Sequence, residues 1–95
     1  MSSGVSKTMS VAATARQTGN DVYVTWQGGQ DNLEVATYHI RVTSSSGRTF
    51  NSEDLPPAAG DMSKFNGAGT SGSDHVVVMA TATDGRVQVI LDTYV

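Results

Sequence analysis

The residues in this chain that could move protons or hold a metal are two histidines, His39 and His75, and nine carboxylates. The histidines fall in different segments, and neither belongs to a His-x-x-x-His or His-Glu-x-x-His spacing. Both sit at outward positions of alternating segments, as ordinary surface imidazoles do. Several carboxylates, Asp31, Glu53, Asp54 and Asp61 among them, lie in loops where oxygen ligands for calcium could gather. None follows the EF-hand spacing. A Ser-His-Asp set could be picked from eleven Ser, two His and seven Asp, but no Gly-x-Ser-x-Gly elbow presents a nucleophile. Gly67-Ala68-Gly69-Thr70-Ser71-Gly72 matches Gly-x-Gly-x-x-Gly by letter. That motif cradles phosphate only where a strand meets the N-terminus of a helix. Here the β-branched run His75-Val76-Val77-Val78 follows, so the segment reads as a strand connection. The chain has no cysteine, which excludes disulfides, thiolate metal sites and thiol catalysis. No catalytic residue, metal or cofactor is expected, and the chain is not expected to be an enzyme.

The aromatic residues offer a different chemistry. A sugar-stacking platform needs two or three rings exposed in one plane. Trp26 shares the parity of Val22 and Val24 and reads as a core anchor, which leaves Tyr23 and Tyr94 as the better exposed candidates. The net charge is −3, with six basic residues spread along the chain, which is no footprint for nucleic acid. No run approaches the ~20 apolar residues of a membrane helix. Charged residues make up only 16%, and Ser, Thr, Asn and Gln carry much of the solubility, a bias associated here with surface and secreted proteins.

The elements that must position these groups are strands. Twelve Val stand against three Leu and two Ile, beside eleven Thr and ten Gly. Val and Thr are stiff at χ1 and suit a pleated surface, and the glycines supply turns. Ninety-five residues make one domain. Residues 1–7 read as an added lead or linker, and 8–95 as a single β-sandwich domain with little room for a deep internal site.

Alternation places a first strand at residues 9–16, with Met9, Val11, Ala13 and Ala15 on one side. A turn at 18–21 leads to a second strand at 22–27, with Val22, Val24 and Trp26 inward. Leu33 and Val35 suggest a short edge piece. Tyr38, Ile40 and Val42 mark the inward face of residues 38–43, and residues 48–51 return as a short strand. Pro56-Pro57 makes 52–60 a loop. Residues 62–65 fit either a strand or a helical turn, and 66–74 read as a loop. Residues 75–83 and 86–94 form a hairpin around Asp84-Gly85, a two-residue turn requiring positive φ. That turn pairs Val78 with Leu91, Ala80 with Val89 and Ala82 with Val87 on the inward face. Outward, it pairs Met79 with Ile90, Val77 with Asp92 and His75 with Tyr94. Large apolar residues on an outward face imply a cover. Val77, Met79, Ile90, Tyr94 and Tyr23 are therefore the expected interaction surface.

Val22-Tyr23-Val24-Thr25-Trp26, Tyr38-His39-Ile40-Arg41-Val42 and His75-Val76-Val77-Val78-Met79-Ala80 resemble the B, C and F strands of a fibronectin type III domain. The expected class is an all-β, immunoglobulin/fibronectin-like sandwich of about seven antiparallel strands. A second resemblance spans residues 11–95. Val24-Thr25-Trp26-Gln27-Gly28-Gly29-Gln30-Asp31 and the tail from Asp74-His75-Val76 through Asp84-Gly85-Arg86-Val87-Gln88-Val89-Ile90-Leu91-Asp92 resemble the soluble domain of archaeal type IV pilin-like proteins. That resemblance implies an exposed β head domain, at the cell surface, of a structural filament subunit. Its like partners would be engaged through a hydrophobic N-terminal helix that this chain does not include, and the native protein would be membrane-anchored before assembly. The alternative is a fibronectin-like protein-interaction or carbohydrate-binding module of a secreted protein.

With the indole in the core, Trp26→Ala should cost about 3–5 kcal/mol in a denaturant titration. A loss below about 1 kcal/mol would mean that this strand turns its other face inward.

Overall fold

The computed structural model describes residues 8–95; the expected lead at 1–7 lies outside them. The chain forms β1 (Ala12–Thr18), β2 (Asp21–Gly28), β3 (Val35–Thr43), β4 (Thr49–Asn51), β5 (Met62–Phe65), β6 (His75–Ala82) and β7 (Val87–Tyr94). One sheet runs in the order β1-β2-β5 and the other β4-β3-β6-β7, and every pairing is antiparallel. This is the expected immunoglobulin-like sandwich of seven antiparallel strands.

The alternation of side chains builds the core. Val22, Val24 and Trp26 from β2 face Ile40 and Val42 from β3 and Val76, Val78 and Ala80 from β6, all buried. Burying each Val or Ile contributes roughly 1.5–3 kcal/mol. Trp26 stacks on Tyr38 from the opposite sheet, with ring centres 4.4 Å apart and planes 12° from parallel. Its indole N–H donates to Asn32 Oδ1 (2.8 Å), and Asn32 Nδ2 donates to the Pro57 carbonyl (2.8 Å). The one polar atom of the ring is therefore satisfied, and the same bond pins the loop before β3. Burial, with the nearby charge of Asp61, raises the Tyr38 phenol above its ordinary pKa, although a Ser63 hydrogen bond opposes the rise.

Several expected boundaries move. β1 begins at Ala12, three residues later than Met9. Met9 is buried, but its backbone is held by a side chain instead of a ladder: its N–H donates to Gln88 Oε1 (2.8 Å) and its carbonyl accepts from Gln88 Nε2 (3.1 Å). Leu33 and Val35 do not form an edge piece. Residues Asn32–Glu34 make a 3-10 turn with Leu33 almost fully exposed, and Val35 opens β3. The turn is fixed at Asp31, whose carboxylate accepts the Ser10 N–H (2.7 Å) while its own N–H donates to the Ser10 carbonyl (3.2 Å). Gly29 permits this approach: at φ 155° its Cα lies so near the segment ahead of β1 that a Cβ would stand 2.4 Å from the Ser10 carbonyl oxygen. Residues 62–65, ambiguous by pattern, form β5 because Thr25, Val24, Tyr23 and Val22 offer a ladder.

The hairpin register is also corrected. Ala82 N–H donates to the Arg86 carbonyl (2.7 Å), so the loop holds three residues, 83–85, with Gly85 at φ 93°. Asp84 fastens it by accepting the Arg86 N–H and guanidinium, which lowers the Asp84 pKa. One extra loop residue pairs Thr81 with Val87, Ala80 with Gln88 and Met79 with Val89. A bulge at Ile90 then restores the expected pairs Val78–Leu91, Val77–Asp92 and His75–Tyr94.

The glycine-rich connection 66–74 is anchored. Gly69 N–H donates to the Asn20 carbonyl, and Gln17 Nε2 to that of Thr70. Asp74, fully buried, accepts from Ser45 N–H (3.0 Å), Thr70 N–H (2.8 Å) and Thr70 Oγ1 (2.8 Å). Its backbone exchanges both hydrogen bonds with Val95. One carboxylate thus joins two loops at the pole where the chain ends. Burial alone would raise the Asp74 pKa, but the three donors outweigh it and the carboxyl titrates below its usual range. Because the folded pKa is depressed, the stabilisation is complete above the unfolded carboxyl value of about 4 and is lost as pH falls through the folded value. Asp74→Ala should cost about 2–3 kcal/mol at neutral pH. In pH-dependent denaturation it should also flatten the acid limb of the stability curve; an unchanged acid limb would contradict this account.

Candidate interaction faces

From Thr37 onward in β3, and throughout β6, the four-stranded sheet turns odd-numbered residues to its outer face, and its register sets them in rungs. Thr49, Thr43, His75 and Tyr94 form one rung, and Asn51, Arg41, Val77 and Asp92 the next. Then come His39, Met79 and Val89, followed by Thr37, Thr81 and Val87. The face is polar and aromatic toward the Val95 pole. Along β6 and β7 it becomes apolar toward the hairpin.

Each expected surface residue has a definite place. Val77 points outward yet is only 7% exposed, because it is flanked in register by Arg41 and Asp92 and along its strand by His75 and Met79. The chain's own side chains supply the cover that this position needs. Met79 is half-buried on the same face. Ile90 does not meet Met79: the bulge turns it toward the core, where it packs half-buried, and Val89 takes the place opposite Met79. Val87 and Val89, expected inward, are instead 64% and 54% exposed. The apolar strip is therefore Met79, Val87 and Val89. Pattern reading missed the two valines because alternation gives the parity of a strand, not the loop length that sets its phase.

Tyr94 is 64% exposed and stacks on His75, with ring centres 4.6 Å apart and planes 16° from parallel. His75 Nε2 lies 2.5 Å from Asp92 Oδ1. His39 lies elsewhere on the face, four residues further back along β3 than the Thr43 opposite His75. Its ring nitrogens meet Asn51 Oδ1 (3.2 Å) and Asp54 Oδ1 (3.5 Å). Among the described residues no three His, Asp or Glu side chains converge as a metal would require.

Tyr23 is not beside Tyr94. It lies on the outer face of the three-stranded sheet, on the far side of the sandwich, so the two tyrosines share no platform. Arg16 of β1 and Lys64 of β5 are its partners in register, with Arg16 Cζ 4.6 Å and Lys64 Nζ 5.8 Å from the ring centre.

No protein-family model matches the chain, and no curated protein matches it in sequence.

Replacing Val87 and Val89 together by Thr keeps their shape and removes apolar surface that is already in water. Thermal unfolding of this variant should stay within about 0.5 kcal/mol of the parent for each substitution. A loss of 2 kcal/mol would show that the strip is covered within the domain.

Proposed function

We propose that this domain works by contact and not by turnover, as the exposed head of a structural subunit in an archaeal cell-surface, pilus-like filament. The observation that carries the reading is the strip of exposed Val87 and Val89 beside half-buried Met79, on a sheet whose opposite face packs against the core. An apolar strip beside an edge strand is the kind of surface that a neighbouring subunit covers. The position of Met9 is compatible with it. Met9 is held at the hairpin pole by Gln88, while Val95 pairs with Asp74 at the other pole. No helix among the described residues is long and apolar enough to cross a membrane, so in this reading anchoring and polymerisation belong to a helix upstream. The pilin-type likeness of the Gly28-Gly29-Gln30-Asp31 turn and of the terminal hairpin adds support.

A second reading is a protein-interaction or carbohydrate-binding module of a secreted protein. The exposed Tyr94 ring, with His75 stacked against it, favours it.

Residues 1–95 contain no cysteine, so a thiol introduced here is the only one in this domain. Val89→Cys in the full-length protein at the cell surface should crosslink neighbouring subunits through a short bis-maleimide. Thr25→Cys, on the opposite face, should not. Equal crosslinking at both sites, or none at Val89 in intact filaments, would reject the filament reading. So would a native upstream sequence without an apolar stretch of about 20 residues.

A further inference from the structure

We infer that the rung Arg16–Tyr23–Lys64 is a binding site for an acidic polysaccharide, one bearing sulfate or carboxylate groups. The three residues lie side by side across all three strands of the β1-β2-β5 sheet. The tyrosine ring sits between two cations on the outer face. Arg16 is exposed and makes no ion pair among the described residues. Its Nη1 donates to Thr18 Oγ1 (2.9 Å) and its Nη2 approaches Met62 Sδ (3.9 Å), which leaves guanidinium N–H groups for a ligand. Lys64 is half-exposed, and its carboxylate partner Asp21 stands 3.7 Å away, a weak surface pair that an incoming anion competes with easily. In a chain of net charge −3, two cations held on one aromatic ring form a local reversal of sign.

The surroundings distinguish a glycan from an acidic protein. The neighbouring rungs are Thr14, Thr25 and Met62 on one side and Thr18 and Asp21 on the other, with Gln27 bonded to Thr14 beyond them. Apart from Met62 and the Asp21 carboxylate, which is engaged by Lys64, this surface is lined by hydroxyls and amides around one ring. Such a surface suits a ligand that stacks a sugar ring and spreads its anions over both sides. A protein partner would need an apolar centre, and the domain carries that on its other face, at Met79, Val87 and Val89. The cations fix the ligand by charge and hydrogen bond, bidentately at Arg16. Tyr23 supplies an apolar body to the sugar.

The inference is independent of the filament reading, because the two surfaces lie on opposite faces and either can fail alone. The test measures binding of dextran sulfate, unmodified dextran and polyglutamate to the domain by titration calorimetry at low and at physiological salt. Dextran sulfate should bind and weaken as salt rises, and unmodified dextran should not bind. The double variant Arg16→Ala/Lys64→Ala should lose at least tenfold in affinity, with an unchanged melting temperature showing that it folds. The charge-conserving pair Arg16→Lys/Lys64→Arg should bind more tightly than the double Ala variant and less tightly than the parent, because it keeps the charge and moves the bidentate fork from position 16. Asp21→Asn, which frees Lys64 of its counter-charge, should bind a few-fold more tightly. Failure of dextran sulfate to bind, or equal binding by the double Ala variant, would overturn the site. Polyglutamate binding as well as dextran sulfate would overturn the choice of a glycan.

Discussion

Trp26 and Tyr38 meet face to face across the gap between the sheets, and the spacing of the sandwich is set where their rings touch. The contact reaches beyond the core. The indole N–H holds Asn32, Asn32 holds Pro57, and the Trp26 backbone takes the Gly60 N–H and gives its own to Asp61. One residue therefore fixes the separation of the layers, the 3-10 turn ahead of β3 and the loop ahead of β5. The outer faces depend on that arrangement, since the parity that sends Trp26 inward sends Tyr23 outward between Arg16 and Lys64.

The second determinant is the phase of the terminal hairpin. A three-residue loop shifts the start of β7 by one place, and the bulge at Ile90 undoes the shift halfway along. Between them Val87 and Val89 face solvent and Gln88 faces inward, where its amide stands in for a ladder to the Met9 backbone. A bulge costs a ladder pairing, and it twists an edge strand away from indiscriminate pairing with another chain. Here it also lets Ile90 and Leu91 both pack against the core.

The two outer faces differ in chemistry. The four-stranded face carries an apolar strip at one end and the His75–Tyr94 stack with Asp92 at the other. The three-stranded face carries the cationic rung in a setting of threonines. Neither face shapes the core, since every residue that matters on them lies at an outward position. The same sandwich could carry quite different surfaces, so function has to be sought in these side chains and not in the architecture.

The alternation of Val22, Val24 and Trp26, of Tyr38, Ile40 and Val42, and of the run from Val76 determined the class of fold, the core and most strands from the chain alone, because side chains in a strand repeat every two residues whatever the partner. Asp84-Gly85 located the last turn for the same local reason. Tertiary structure decided what local pattern does not encode. It set the length of that turn and the bulge that exchanged Ile90 for Val89. It made Val77 buried on an outward face, made Asp74 the buried tie of two loops, and separated Tyr23 from Tyr94. Each of these depends on which strand lies alongside and in what register, a matter of distances between residues far apart in the chain.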